Sequence, residues 1–355
     1  MNSRERFLAT AHYQVRDRLY HTEMGPFPET LARWREEGLP PDSDWEYYGD
    51  YDRLELAPLN PHLCPVFGYQ TLALEGDYEI YRDTDGVTKK QLRHASPAGM
   101  PQYLDYPLHG RQEWPLLRQR LDPTSPARLP VHWDSLRHGY AHRDFALGIN
   151  SGSLYGWLRS WMGLEGVSLT LYDDRAFIEA AAADITEFLL AYLDRALAGV
   201  QYDYAVFWED MAGKNGSLID PALYRSLFAR HYRRLTDRLH AAGIEIIMLD
   251  SDGRVDELIP IWLYLGINWI YPMEVAAGND VVQLRRRFGR DLRLAGGMDK
   301  RVLAGPRQGI RAMVEERLPL LRAGGYVPGC DHAMPPDISW ENYLYYRQLL
   351  RSVAP

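Results

Sequence analysis

Five short apolar runs in the second half of the chain each hand over to an acidic residue. Residues 205–208 lead into Glu209-Asp210, and residues 244–249 into Asp250-Ser251-Asp252-Gly253. Residues 268–271 lead into Pro272-Met273-Glu274, residues 292–295 into Gly296-Gly297-Met298-Asp299, and residues 326–328 into Gly329-Cys330-Asp331-His332. Carboxylates are general acids and bases, and a crowd of them repels unless a cation or a shared proton lies between them. Gathered in one place, these groups call for a divalent metal, a cationic substrate or carboxyls with strongly raised pKa values. Cys330 and His332 add a thiolate and an imidazole to one loop, a pair that suits zinc with carboxylates completing four ligands. Each feature also has a plainer reading. Asp and Glu often follow strands as N-caps of the next helix. A single thiol is commonly a packing residue, which is the reading given to Cys64. Trp133, Trp208, Trp269 and Tyr271 fall near strand ends, where they either join the core or wall an apolar pocket.

These runs must be strands for the acids to meet. They are continuously apolar, as strands buried on both faces are. Helical patterns separate them, at 154–164, 175–197, 221–242, 255–265, 281–288, 308–322 and 339–351. Asp220-Pro221 is a helix start, with Asp as cap and Pro at the first helical position. Alternating strands and helices imply a parallel sheet with right-handed crossovers. The expected fold class is therefore α/β, a (β/α)8 TIM barrel with an irregular N-terminal extension, although an open doubly wound sheet shares the same alternation. In a closed barrel the five acidic strand ends converge on one mouth. The extension spans residues 1–125, with helices at 4–13 and 29–37. It also holds a hairpin of 77–81 and 87–92 around Thr84-Asp85-Gly86. A Pro-rich joint at 122–126 leads into the barrel body, residues 126–355, whose first apolar runs are 129–133 and 145–149. The whole is read as one structural domain.

Composition narrows the function. The chain has 355 residues, 46% hydrophobic and 25% charged, enough to bury a large core without staples. Its net charge of −8 supplies no basic excess for nucleic acid. Two distant cysteines form no disulfide framework and fit a reducing cytoplasm. The charged start, with Arg4-Glu5-Arg6, does not read as a signal peptide, and no apolar run approaches a membrane span. A P-loop, Gly-x-Gly-x-x-Gly, His-Glu-x-x-His and Gly-x-Ser-x-Gly are all missing from the sequence.

Longer stretches carry a family likeness. They are Ser3-Arg4-Glu5-Arg6-Phe7-Leu8-Ala9, the segment from Trp208-Glu209-Asp210 through Gly216, Ile219-Asp220-Pro221 and Leu249-Asp250-Ser251-Asp252-Gly253. Further on come Tyr271-Pro272-Met273-Glu274, Gly296-Gly297-Met298-Asp299-Lys300, the segment from Gly324 to His332, and Pro336-Asp337-Ile338-Ser339-Trp340-Glu341-Asn342-Tyr343. On these the chain resembles the uroporphyrinogen decarboxylase superfamily, in its divergent branch similar to cobalamin-dependent methyltransferases. The resemblance implies a (β/α)8 barrel with its site at the mouth, and often a homodimer. The decarboxylases carry an N-terminal Arg-rich segment that grips substrate carboxylates. The matching region here is Tyr20-His21-Thr22-Glu23-Met24-Gly25-Pro26, which argues against that substrate. The methyltransferases bind zinc through a His-x-Cys pair and a later Cys. Here the pair reads Asp250 and Asp252, and the later Cys matches Cys330.

The resemblance thus implies a metal-dependent methyltransferase moving a methyl group between a small molecule and a thiol or a corrinoid carried on a partner protein. In that picture Asp250, Asp252, Cys330 and His332 hold a divalent metal, zinc foremost. Glu209, Asp210 and Glu274 serve proton transfer, Lys214 and Asp299 orient substrate, and Trp208 and Tyr271 wall its pocket. A rival reading is a cofactor-independent decarboxylase of an aromatic or tetrapyrrole acid, which needs an arginine at the mouth. Arg137, Arg143 and Arg254 are its candidates. A second rival is a non-catalytic module binding a tetrapyrrole or corrinoid.

Overall fold

The computed structural model describes residues 1–93 and 99–354. Its centre is a seven-stranded sheet in which each strand pairs with the next in sequence. The strands are β1 (Leu54–Leu56), β2 (Ala146–Asn150), β3 (Tyr204–Trp208), β4 (Ile246–Asp250), β5 (Trp269–Met273), β6 (Arg293–Met298) and β7 (Tyr326–Cys330). Every pairing is parallel. From β2 onward helices make the crossovers, which leaves both faces of the strands covered and explains runs such as YAVFW in β3. The helix Pro221–Ala241 begins as its sequence requires: the Asp220 carboxylate accepts the Leu223 N–H at 2.7 Å, and Pro221 needs no partner there.

The sheet is curled around its own side chains. Ala146, Tyr204, Val206, Ile246, Met248, Trp269 and Val327, from five strands, form one buried cluster with Phe7, Ala11 and Tyr20. Phe7, on the helix Ser3–Ala11, lies 5.6 Å from Trp269 in a stacked pair and 5.5 Å from Tyr204. The first helix therefore plugs the end of the curl where the strands begin. Between β7 and β1 runs an extended segment, residues 19–24. The Asp52 N–H donates to the His21 carbonyl at 2.8 Å, and the Cys330 N–H donates to Glu23 Oε2 at 2.7 Å. A Cβ on Gly329 would meet Glu23 Oε2 at 3.1 Å, so glycine permits this approach.

Two features differ from the sequence reading. The run 129–133 is not a strand: Pro130 lacks a ladder N–H, its carbonyl accepts the Trp133 N–H at 2.9 Å, and Trp133 opens the helix Trp133–Tyr140. Conversely, β1 comes from within the first 125 residues, so the extension contributes a strand to the central sheet. The expected hairpin forms with Tyr78 opposite Leu92 and Arg82 opposite Thr88. It is the middle of a four-stranded antiparallel sheet completed by Gln70–Glu75 and Gln102–Asp105. Among the described residues no helix is long and apolar enough to cross a membrane.

Candidate active site

The strand ends deliver their acids to different environments. Asp250 closes β4, its carbonyl accepting the N–H groups of Glu209 at 2.9 Å and Asp210 at 3.3 Å. Its own carboxylate has no hydrogen bond among the described residues. Burial, then repulsion from Asp252 and Asp210, pushes the Asp250 carboxyl up to about 7. Asp210 holds φ +42°, a left-handed conformation unusual for Asp. It takes the Arg159 guanidinium at 2.6 Å. Asp252 Oδ2 lies 3.6 Å from His332 Nε2, and that carboxylate raises the pKa of the imidazole. Gly253 lets this loop close, because a Cβ there would strike the Ala212 carbonyl at 2.4 Å.

The remaining acids are engaged locally. Glu209 is fully buried and accepts the N–H groups of Leu154 and Gly156, both at 2.8 Å, with the Ser153 and Tyr232 hydroxyls. It pins the start of the helix Tyr155–Asp173, and burial lifts its carboxyl to about 7. Glu274 accepts the Gly253 N–H at 2.9 Å and lies 3.5 Å from Lys300 Nζ. Asp299 caps the short helix Lys300–Leu303 and grips Arg301 at 2.8 Å. Asp331 is buried and ties together the Val275 and Lys300 N–H groups at 3.0 and 3.1 Å. Lys214 is exposed at the tip of the small hairpin Ala212–Gly213/Gly216–Ser217.

Two cavities meet at the strand ends. The larger, of about 700 Å³, is walled by Trp157, Trp161, Trp208 and Tyr271, with Asp250 and Asn150 as polar groups. Thr84 and Asp85, from the turn of the added sheet, overhang it. The smaller, of about 310 Å³, runs inside the curl past Glu23, Met248 and Cys330. Leu56, Val206 and Tyr271 line both. An aromatic-walled cavity that includes a perturbed carboxyl at a strand C-terminus has the character of a ligand site.

The family model for uroporphyrinogen decarboxylase (URO-D) matches residues 112–352. The chain belongs to the URO-D family. No curated protein matches it. Among solved structures, a methyltransferase from Methanosarcina mazei aligns with a TM-score of 0.62 at 13% identity, covering 99% of this chain and 98% of that one. A B12-independent methionine synthase from Shewanella sp. W3-18-1 aligns at 0.46 and 11% identity, covering 94% and 95%. The first likeness is one of fold.

In this URO-D family member the four groups expected to hold a metal are divided. Asp250, Asp252 and His332 are at the mouth, but the Cys330 thiol lines the inner cavity, 3.9 Å from an Asp331 oxygen. Burial and the nearby Glu23 push that thiol well up, away from the thiolate a metal requires. Among the described residues no three His, Cys, Asp or Glu groups converge as ligands. As placed, these side chains do not fit a metal.

Two groups escaped the sequence reading. Arg159 stands beside Asp210 with its guanidinium 5.7 Å from the Trp208 ring. The available signal was its position in the first turns of the helix that follows β2, close to a strand C-terminus. Glu23 faces the inner cavity with its carboxyl lifted to about 7 by burial, because its neighbours reach it only through the fold. The three arginines offered by the sequence are paired locally and line neither cavity. Arg143 pairs with Asp203 at 2.7 Å, Arg137 with Asp134 at 3.1 Å and Arg254 with Asp256 at 2.9 Å.

Proposed function

We propose that this chain is a small-molecule methyltransferase whose substrate occupies the cavity at the mouth, with Asp250 as its proton acceptor. The single observation that carries the reading is Asp250 itself: a carboxyl with no hydrogen-bond partner among the described residues, held near neutrality, on the wall of an aromatic cavity. A base with a pKa close to ambient pH is suited to take a proton from a thiol or an ammonium. In the transfer, the acceptor gives its proton to Asp250 and its freed lone pair attacks the methyl carbon. The bond from that carbon to its carrier breaks, leaving the electron pair on the carrier. Asp210, fixed by Arg159, and Asp252, paired with His332, keep the proton on Asp250 by repulsion. Trp208 and Tyr271 exclude water. We take residues 19–24 as the eighth stave that closes the sheet into a (β/α)8 barrel. We take a corrinoid protein as the carrier, presenting its methyl group at the open strand ends. The fold shared with the Methanosarcina mazei methyltransferase is compatible with this reading.

Arg159 favours a second reading, a decarboxylase in which its guanidinium receives a substrate carboxylate and Asp250 delivers the proton that replaces carbon dioxide. One assay separates the two. Purified protein is incubated with methylcobalamin and small thiols or amines, and demethylation is followed by absorbance. The expected result is catalysed loss of the methyl group, with Asp250→Asn slower by about 100-fold and its circular dichroism unchanged. Release of carbon dioxide from aromatic acids, with no methyl transfer, would replace the first reading by the second.

A further inference from the structure

The walls of the larger cavity are unusual in their charge. Trp157, Trp161, Trp208 and Tyr271 offer aromatic surface, while among the described residues Asp250 and Asp85 are the carboxylates on its wall and His62 the imidazole. Burial and then the neighbouring Arg128 lower the His62 pKa, so this imidazole stays neutral. No lysine or arginine among the described residues lines either cavity. Asp85 already has a partner, Lys89 Nζ at 2.6 Å, whereas Asp250 has none. The Tyr271 side chain, half-buried where the two cavities meet, makes no hydrogen bond among the described residues.

The protein supplies an example of what such a surface binds. The Arg159 guanidinium lies between the Asp210 carboxylate, at 2.6 Å, and the Trp208 ring, at 5.7 Å. A cation held between an aromatic face and a carboxylate gains both ring-quadrupole and charge attraction, and most when desolvated. An anionic or carboxylate ligand in the same cavity would meet Asp250 with no compensating cation on the wall.

We infer that the small molecule taken by this cavity is an organic cation, an alkylated ammonium that keeps one N–H, held between the Asp250 carboxylate and the rings of Trp161, Trp208 and Tyr271. The inference rests on the methyltransferase reading for what then happens to the ligand, but the binding itself does not. The ammonium carbons pack on the rings, and the positive charge faces Asp250. The larger cavity, at about 700 Å³, exceeds what a small alkylated ammonium fills, so substituents on the nitrogen extend past Leu63 and Asn60.

The test uses the full chain and two probes of one shape, choline and its uncharged carbon isostere dimethylbutanol, titrated calorimetrically. Choline should bind at least about tenfold more tightly. Asp250→Asn should erase the preference, and Trp208→Leu, at a half-buried position, should weaken choline without strengthening the isostere. Equal binding of the two probes, or tighter binding of benzoate than of choline, overturns the inference. Binding is read without turnover. Methyl transfer from methylcobalamin with no preference for choline would therefore sink the cation site alone. A clear preference without methyl transfer would support the cation site and sink the methyltransferase reading.

Discussion

The two ends of the curled sheet treat the same side chain in opposite ways. At the end where strands begin, Asp203 precedes β3 and accepts Arg4 Nε at 2.9 Å, Arg143 Nη2 at 2.7 Å and the Leu147 N–H at 3.0 Å. Asp52, just before β1, is held by Arg6, by Arg18 at 2.8 Å and by the His21 N–H at 3.0 Å. Each carboxylate there is met by two guanidinium groups and a backbone N–H. At the end where strands finish, Asp210, Asp250 and Asp252 share one arginine and one histidine. Desolvated charge is tolerated only when paired. The foot is therefore complete in itself and serves the fold. The mouth is left short of positive charge, and that deficit is what a guest or a proton supplies.

The sharpest way to break this contrast is at the foot. Asp203→Ala leaves the Arg143 side chain, 3% exposed, without its carboxylate. Removing one partner of a buried pair costs about 3–5 kcal/mol. Urea unfolding should register that loss with choline affinity unchanged in the folded fraction. A loss below about 1 kcal/mol, the range of exposed pairs, would show that the foot is no more dependent on its ion pairs than a surface is.

The same substitution logic has the opposite sign at the mouth. The Asp250 carboxyl titrates at about 7 against an ordinary 3.8. The folded chain therefore binds this proton more tightly than the unfolded chain. The associated stability is full below about pH 4 and is lost as the pH rises to about 7. Asp250→Asn removes that loss, so its stability relative to the parent should grow by about 2–4 kcal/mol between those pH values, at about 1.4 kcal/mol per pKa unit. The raised carboxyls of Glu23 and Glu209 act with the same sign in both proteins and cancel in the difference. Unfolding midpoints of the two proteins that run parallel with pH would mean Asp250 is ionised throughout, and the mouth would then carry no stored proton.

The difference between the ends also explains what could be read from the sequence. Strands β3 to β7 were legible because each is a continuous apolar run bounded by turn residues, and their ends fell within two or three residues of the expected positions. Strand β1 was not, because three residues in a Tyr- and Pro-rich stretch carry no periodicity and pair only through the fold. At the strand ends the residue types were legible and their duties were not. Glu209 and Asp210 are adjacent, yet one is a buried anchor for the helix Tyr155–Asp173 and the other faces the mouth. The left-handed φ at Asp210 turns it there, and nothing in the residue pair announces that conformation. Asp299 took the capping role that any strand-end Asp could take. Cys330 and His332, two apart, open onto different spaces: the strand ends at Cys330, so the period of two that sets i and i+2 on one face does not extend to His332.

Arg159 offers the finest adjustment of the contrast, since it is the permanent cation that, among the described residues, pairs with the Asp210, Asp250 and Asp252 group. Its pair with Asp210 is partly exposed, 22% and 30%, so Arg159→Met should cost no more than about 1 kcal/mol of stability. Its electrostatic effect should be the more informative. Burial raises the Asp210 carboxyl, and Arg159 is the leading attraction that opposes that rise. Without it, Asp210 protonates more readily and repels the Asp250 carboxylate less, so the two share one proton as a coupled pair. Carbon-13 NMR of aspartate-labelled protein should show the Asp210 carboxyl titrating at higher pH in the variant, with Asp250 moving in the opposite direction. Under the methyltransferase reading, methyl transfer then persists with a pH profile displaced toward acid. Loss of all turnover, together with loss of affinity for aromatic acids, would instead make Arg159 the substrate's own counter-ion. The deficit of positive charge at the mouth would then belong to a decarboxylase.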